Sequence, residues 1–356
     1  MSRSALVRWI GGAFLVCALA ACGSEVDVFR SATPVDLTGA GATFPYPLYS
    51  RWFADYATKT GVKINYQSIG SGGGIRQLME RTVDFGASEA PEREDELARA
   101  KGGEILQLPL VAGALAISYH LSGVSAPLRL TGDLVADIFL GKVTRWNDDR
   151  LRALNPDATL PDAPVLVVYR ADPSGSAYVL GDYLSRVSPA WKAGPGAAKE
   201  LQWPVGLGAK GNEGVAGVLK QTPHAIGFIE LAYARQNALQ TAALRNRAGL
   251  FVQPSRAAIA ATMTGVAARL PAANDFRVSL VDAEDPAAYP ITSLSWLLLY
   301  RAQPDSAKRQ KLVGFLRWAL HSGSASAEAL DYAPLPTDLA TRVESVLASV
   351  TVAAPK

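Results

Sequence analysis

The stretch Val165-Leu166-Val167-Val168-Tyr169-Arg170-Ala171-Asp172-Pro173-Ser174-Gly175-Ser176 consists of an apolar run, one arginine and a short polar loop. The apolar run is rich in β-branched residues, which predicts a strand covered on both faces. Beyond the Ser-Gly-Ser segment, apolar residues recur at helical spacing, at Tyr178, Tyr183 and Val187. The spacing predicts that a helix begins at this loop.

This strand-loop-helix segment can hold an anion. A helix start presents unsatisfied N–H groups and the positive end of the helix dipole. Arg170 adds a fixed charge and a five-donor fork suited to oxyanions. If the strand continues, Asp172 shares a face with Arg170 and can orient it. A purely structural alternative also fits the segment, in which Arg170 ends a strand and Ser174 caps a helix.

The composition fits a folded protein of roughly two domains. The chain has 356 residues, of which 49% are hydrophobic and 19% are charged, proportions typical of globular proteins. The net charge is +3 and there is no long basic block. Nothing therefore indicates a nucleic-acid partner or electrostatic binding to an anionic membrane surface.

The N-terminus differs from the rest of the chain. Arg3 and Arg8 precede an apolar core over residues 10–21, a secretory signal pattern too short for an ordinary membrane span. The segment Leu19-Ala20-Ala21-Cys22-Gly23 resembles the lipobox of bacterial lipoproteins, which implies a signal peptide over residues 1–21, lipidation of Cys22 and a tether over residues 22–35. An ordinary signal peptide with a chance cysteine is the alternative. With Cys17 removed, no disulfide is expected.

Strand-like and helix-like segments alternate along the remaining chain, which predicts an α/β fold with mostly parallel sheets. The strand-like segments include residues 62–66, 83–88, 105–111, 113–119, 225–229 and 290–300. The helix-like segments include residues 92–101, 131–140, 148–154, 213–221, 311–320 and 337–347. Residues 254–288 are polar and irregular.

Three Gly- or Ser-bearing loops lie at predicted strand-to-helix turns, over residues 41–44, 70–74 and 174–176. In open α/β sheets, ligands bind at the carboxyl ends of strands. Three such loops that converge near one arginine predict a small oxyanion site.

Glu89 follows a short strand and lies among Gly, Ala, Ser and Pro rather than in a charged run. An ionised carboxylate only accepts hydrogen bonds. It can accept one from the P–OH of hydrogen phosphate, whereas sulfate at neutral pH has no proton to donate. Such a polar mismatch can discriminate about 10⁴-fold. The alternative is that Glu89 caps the following helix.

The sequence lacks the residue patterns that dinucleotide binding, nucleotide hydrolysis, serine hydrolysis and metal binding require. Residues 206–211 match the letters of a dinucleotide fingerprint, with Glu230 at a suitable distance, but only a short strand precedes them, so a structural glycine loop is the interpretation. The sequence has no P-loop motif and no Gly-x-Ser-x-Gly elbow. Its histidines, His120, His224 and His321, have no neighbours at metal-ligand spacing. No metal or cofactor is therefore expected.

Together these motifs resemble the periplasmic phosphate-binding proteins of high-affinity phosphate ABC transporters, the PstS family. The resemblance covers almost the whole mature chain. The matching segments are residues 38–45, 65–67 with 69–71, 83–88, 139–142 with Trp146, 170–172 with 174–175, 203–208 with 210–212, 290–293 and 330–333.

This resemblance implies a type II binding-protein fold, with two α/β lobes joined by a two-stranded hinge. Lobe one is expected over residues 36–111 and 287–356, and lobe two over residues 112–286. The implied phosphate contacts are Thr43, the Phe44 N–H, Ser71 and Glu89 in lobe one, and Arg170, Ser174, the Gly175 N–H and Ser176 in lobe two, with Asp172 holding Arg170.

The chain departs from the family pattern at three positions. Position 89 is usually aspartate and is glutamate here, and position 176 is usually threonine and is serine here. Pro173 replaces a common glycine. The longer Glu89 side chain keeps the proton-accepting role chemically intact but changes its geometry.

The resemblance implies a non-enzymatic, monomeric receptor that binds inorganic phosphate and delivers it to the permease subunits of a membrane ABC transporter. It would be exported to the periplasm or cell surface and anchored by lipid at Cys22. Two alternatives stay open. One is a lipoprotein for phosphate sensing or surface interaction, and the other is a secreted phosphatase on the same scaffold.

Overall fold

A computed structural model describes residues 36–270 and 275–353 of the chain. The predicted signal peptide, the tether and Cys22 lie outside these residues. No helix in the described part is long and apolar enough to cross a membrane.

The strands of the described residues are numbered in chain order. They are β1 Leu37–Gly41, β2 Ile64–Ser68, β3 Phe85–Ser88, β4 Ile105–Tyr119, β5 Arg129–Leu130, β6 Leu166–Arg170, β7 Leu207–Ala209, β8 Ala225–Glu230, β9 Gln240–Thr241, β10 Ala243–Arg245, β11 Phe251–Val252, β12 Thr292–Tyr300, β13 Ala302–Gln303, β14 Ala333–Pro334 and β15 Thr351–Val352.

The helices of the same residues are numbered in the same way. They are α1 Tyr46–Thr60, α2 Ser71–Met79, α3 Glu94–Leu97, α4 Gly132–Phe139, α5 Asp149–Leu154, α6 Gly175–Val187, α7 Pro189–Ala193, α8 Gly211–Gln221, α9 Leu231–Gln236, α10 Arg256–Met263, α11 Ser306–His321, α12 Ser324–Ala329 and α13 Thr337–Leu347, with a short 3₁₀ helix at Val266–Arg269.

The main sheet has the strand order β2-β1-β3-β12-β4-β8-β6-β7, and β9 and β14 also pair with β4. At one end β1 runs parallel to β2 and β3, and at the other end β6 runs parallel to β7 and β8. The central pairs of β12 with β3, of β12 with β4 and of β4 with β8 are antiparallel. The α/β class is confirmed, but the sheet is mixed, so the prediction of mostly parallel sheets holds only for its two ends.

Strand β4 connects the two parallel ends of the sheet. Residues 105–111 and 113–119 were expected as two strands, and that prediction is wrong, because they form one continuous 15-residue strand. Its first part pairs with β12 and its last five residues pair with β8. Gly113, where the second strand was expected to begin, permits close packing, since a Cβ there would lie 2.7 Å from the Phe44 ring.

Helix α1 shows how the sequence pattern produces the core. Its buried residues are Leu48, Tyr49, Trp52, Phe53 and Tyr56, the apolar stripe that helical spacing places on one face. On that face, the ring of Phe53 packs against Tyr66 of β2 at a centroid distance of 6.1 Å and against Phe315 of α11 at 5.3 Å. This packing holds α1 against β2 and α11.

Two helix predictions differ from the structure. The charged segment 92–101 forms only the four-residue helix α3, none of whose residues is buried, so packing does not extend it. Helix α2 begins at Ser71 and includes glycines that were expected in a loop. A Cβ at Gly74 would lie 2.2 Å from the Gly41 Cα, so glycine allows this first turn to approach β1 closely.

Strand β6 and helix α6 are confirmed, and the strand ends at Arg170 as predicted. Its coverage differs along its length. Val167 and Val168 are buried, whereas Leu166 at the start of the strand is 45% exposed. The segment 254–288 contains helix α10, which its polar composition did not indicate.

Candidate functional site

Four strands, three from one parallel end of the sheet and one from the other, deliver the predicted site residues from their carboxyl ends. Thr43 follows β1, Ser71 follows β2, Glu89 follows β3, and Arg170 is the last residue of β6. All four of these side chains are at least 97% buried. The residues after β2 and β3 face the N-terminus of α6, and the loop after β1 faces α8 and α9, as the hydrogen bonds described below record.

Arg170 is held by Asp172 as a bidentate pair. The Arg170 Nε donates to Asp172 Oδ1 at 2.8 Å, and a terminal nitrogen donates to Oδ2 at 2.5 Å. Asp172 Oδ1 also accepts from the Gly211 N–H at 2.9 Å. Burial opposes ionisation of Asp172, but the hydrogen bonds and charge of Arg170 outweigh it and hold the pKa of that carboxyl below its usual value. The second terminal nitrogen lies 3.4 Å from Ser176 Oγ.

The start of α6 provides donors that cross to the opposite side. Ser174 is the N-cap residue, and its hydroxyl accepts from the Ala177 N–H at 3.3 Å. The Gly175 N–H donates to Ser71 Oγ at 3.2 Å, although the two residues are 104 positions apart. Ser174 therefore caps α6, as the structural alternative predicted. The loops at residues 70–74 and 174–176 also lie together, as the predicted convergence requires.

Glu89 contacts these donors directly. Its Oε2 accepts from Ser71 Oγ at 2.7 Å, and its Oε1 accepts from both the N–H and the hydroxyl of Ser176, each at 2.6 Å. The N-cap of α3 is Arg93. The alternative that Glu89 caps the following helix is therefore wrong, because the carboxylate faces α6 instead.

Thr43 and Phe44 are positioned by aromatic and amide groups that sequence reasoning missed. Asn212, near the start of α8, donates to Thr43 Oγ from its backbone at 3.1 Å and from its side chain at 2.7 Å. The Tyr233 hydroxyl donates to the Thr43 carbonyl at 2.8 Å, and the Tyr332 hydroxyl donates to the Phe44 carbonyl at 2.7 Å.

Asn212 had one detectable signal, since it lies in the matching segment 210–212 at a predicted loop-to-helix turn. Tyr332 likewise lies in the matching segment 330–333. Tyr233 had no such signal, because a single tyrosine in apolar surroundings is indistinguishable from an ordinary core residue. The structure thus extends the predicted set to the residues that hold Thr43 and Phe44 in place.

Further contacts join the same two sides of the site. The Gly72 N–H donates to the Pro173 carbonyl at 3.2 Å. Lys199 forms an ion pair with Glu92, whose side chain is 1% exposed. Burial raises the pKa of Glu92, and the charge of Lys199 opposes this rise. These bonds hold the α6 side and the β3 side together.

The residues considered for other chemistries are dispersed. Within residues 36–270 and 275–353, no group of three or more His, Cys, Asp or Glu side chains is arranged to hold a metal ion. His120 contacts the Leu219 carbonyl, and His321 contacts Glu344. The glycine segment 206–211 leads into α8. The N–H of its last residue, Gly211, donates a hydrogen bond to Asp172.

Two parallel-stranded ends that share one long central strand, with polar strand ends meeting between them, define a periplasmic-binding-protein fold. A family profile described as "PBP superfamily domain" matches residues 29–322. A solved structure of a high affinity periplasmic phosphate-binding protein (PfluDING) bound with phosphate has a TM-score of 0.70 to this chain. The two sequences are 20% identical, and the match covers 87% of this chain and 93% of the other.

Similar proteins of known name identify the family within this class. A protein named "Phosphate-binding protein PstS" from Xylella fastidiosa is 44% identical, over 88% of this chain and 85% of its own length. A protein of the same name from Pasteurella multocida is 41% identical, over 87% of this chain and 89% of its own length. This chain belongs to the PstS family of phosphate-binding proteins, as its motifs predicted.

Proposed function

We propose that this protein binds inorganic phosphate between its two parallel-stranded ends and delivers it to the permease subunits of an ABC transporter. The observation that carries the proposal is the buried Arg170–Asp172 pair beside the start of α6, with Ser71 and Glu89 facing it. Membership of the PstS family and the names of the relatives support the same ligand.

In this proposal the anion is dehydrated into fixed donors. Thr43, the Phe44 N–H and Ser71 contribute from one side, and Arg170, Ser174, the Gly175 N–H and Ser176 from the other. Arg170 is the charged donor, and Asp172 fixes the plane of its guanidinium through two hydrogen bonds. Donors that are positioned before the ligand arrives lose little conformational entropy on binding.

Glu89 is proposed as the group that separates hydrogen phosphate from sulfate. A carboxylate accepts the P–OH hydrogen, whereas sulfate at neutral pH presents only oxygens that repel it. The burial of Glu89, at 1% exposure, supports this role, because water cannot shield the repulsion.

The predicted lobe boundaries, at residues 111/112 and 286/287, also stay a proposal. They are supported by the pairing of β4, which changes partner from β12 to β8 after Ala114. The Leu115 N–H donates to the Ile291 carbonyl at 2.8 Å, so two neighbouring segments connect the proposed lobes. Two adjacent connections are the form expected of a hinge.

The remaining parts of the proposal concern location and partners. We propose export by the signal peptide over residues 1–21, lipidation at Cys22 and a monomeric, non-enzymatic receptor. The names of the relatives, which are binding proteins, support a non-enzymatic role. Labelling of the expressed protein with a radioactive fatty acid, with Cys22→Ser as the control, tests the anchor.

Isothermal titration of the protein freed of phosphate is the decisive experiment. We expect phosphate binding with a submicromolar Kd, and no competition when sulfate is added in large excess. Sulfate binding of equal affinity would contradict the role of Glu89, and a lack of phosphate binding would contradict the function. Turnover of a phosphomonoester would favour the phosphatase alternative, and undiminished high-affinity uptake in a deletion strain would favour sensing.

A further inference from the structure

Glu89 occupies donors that the proposed function assigns to phosphate. Ser71 Oγ, the Ser176 N–H and the Ser176 hydroxyl all donate to its carboxylate, at 2.6–2.7 Å. Ser176 is the second residue of the 13-residue helix α6, where the helix dipole favours a negative charge. One N–H hydrogen cannot be donated at full strength to a carboxylate and a phosphate oxygen at the same time.

Glu89 makes this contact because its side chain is long enough and because the residue that it passes, Gly175, has no side chain. The Glu89 carbonyl accepts from Ser293 Oγ at 2.9 Å, which fixes the backbone at the end of β3. From there the side chain reaches α6 beside Gly175, where a Cβ would lie 2.7 Å from both Cγ and Cδ of Glu89. An aspartate is shorter by one C–C bond, about 1.5 Å. It would not reach the Ser176 N–H from the same backbone.

The contact also joins the two sides of the site. Ser71 begins α2 and Ser176 lies in α6, so the single carboxylate of Glu89 is hydrogen-bonded to both. A bound phosphate is proposed to join the same two elements. The carboxylate therefore resembles the ligand in charge, in acceptor chemistry and in the elements that it connects.

We propose that Glu89 is an intramolecular competitor of phosphate, a tethered anion that occupies the phosphate donors until phosphate displaces it. This inference rests on the proposed function and adds a regulation of the same site. The apparent Kd for phosphate equals the intrinsic Kd divided by the fraction of molecules whose donors are free. If Glu89 holds the donors in about nine molecules of ten, the affinity is lowered about tenfold.

The test is Glu89→Asp. This variant keeps a carboxylate that can accept the P–OH hydrogen, but its side chain is too short to reach the Ser176 N–H. We expect isothermal titration to give a Kd for phosphate lower than that of the wild type by on the order of tenfold. Glu284→Asp, at a side chain that is 83% exposed, is the matched control and should leave the Kd unchanged. An equal or weaker affinity of Glu89→Asp would overturn the competition.

The two proposals fail differently. If the wild type binds no phosphate in the titration, the proposed function is wrong. If the wild type binds phosphate but Glu89→Asp gains no affinity, the function stands and only the competition is wrong.

Discussion

Two buried glutamates lie at strand ends in this protein, and their surroundings differ. Glu89 follows β3 and Glu230 is the last residue of β8, and their side chains are 1% and 0% exposed. Glu89 accepts three hydrogen bonds from Ser71 and Ser176. Glu230 Oε2 accepts one, from the Ala232 N–H at 2.9 Å, in the manner of a helix cap.

The second oxygen of Glu230 has no donor in the described part of the chain. The neighbouring Tyr332 donates its hydroxyl hydrogen to the Phe44 carbonyl instead. Burial raises the pKa of Glu230 to about 8, so this carboxyl is largely protonated at neutral pH. Burial alone therefore does not give a glutamate the contacts that Glu89 makes. The donors on the facing element distinguish the two residues.

The largest expected effect concerns the pH dependence of stability through Glu230. Its pKa is about 8 in the folded protein and 4.5 in the unfolded chain. The stability that the protonated group supports is therefore complete below pH 4.5 and is lost as the pH rises to 8. The loss is up to about 5 kcal/mol, at 1.36 kcal/mol per pKa unit. Glu230→Gln should remove this loss.

Urea unfolding at several pH values checks the prediction. Relative to the wild type, Glu230→Gln should gain stability steadily between pH 4.5 and pH 8. Glu284→Gln, at an exposed position, is the control and should follow the wild type. Parallel curves for Glu230→Gln and the wild type would show that Glu230 is ionised in the folded protein, as a fully hydrogen-bonded carboxylate would be.

The next largest effect concerns the donor side that Glu89 faces. Arg170→Ala removes the only guanidinium that pairs with Asp172 among the described residues, and the Arg170 side chain is 1% exposed. We expect the affinity for phosphate to fall about 10³-fold, equivalent to about 4 kcal/mol, measured by isothermal titration. Arg152→Ala, at an exposed ion pair, is the control. An unchanged Kd for Arg170→Ala would remove this site from the proposed function.

The smallest effect separates capping from binding at the start of α6. Ser174→Ala removes the N-cap hydrogen bond to Ala177 and should lower the free energy of unfolding by about 1 kcal/mol. Ser255→Ala removes the equivalent cap of α10, at 3.2 Å to the Ala258 N–H, and is the matched control. Both should be destabilised to a similar degree in urea, but only Ser174→Ala should bind phosphate more weakly. Equal phosphate affinities would leave Ser174 a structural cap alone.

Much of the local structure around the candidate site could be predicted from the sequence because its signals are local. The end of β6 at Arg170, the start of α6 and the polar residues at the ends of β1, β2 and β3 follow from short patterns of apolar, glycine and serine residues. The helix predicted over residues 337–347 agrees with α13 in both bounds.

Other features depend on segments far apart in the chain. Strand β4 was expected as two strands with the second beginning at Gly113, and only the Phe44 ring packed against Gly113 shows why glycine is needed within a continuous strand. Asn212 supports Thr43 across 169 residues, and Lys199 pairs with Glu92 across 107. No local pattern carries such contacts.

By itself, the sequence determined which elements form and which chemical groups stand at their ends, because backbone propensity and apolar spacing act over a few residues. It also supplied a glutamate at position 89, which is one methylene longer than an aspartate. Only the tertiary structure decided what that length does, since the Ser176 donors lie 87 residues away and come within 2.6 Å of Glu89 through the packing of two separate strand sets.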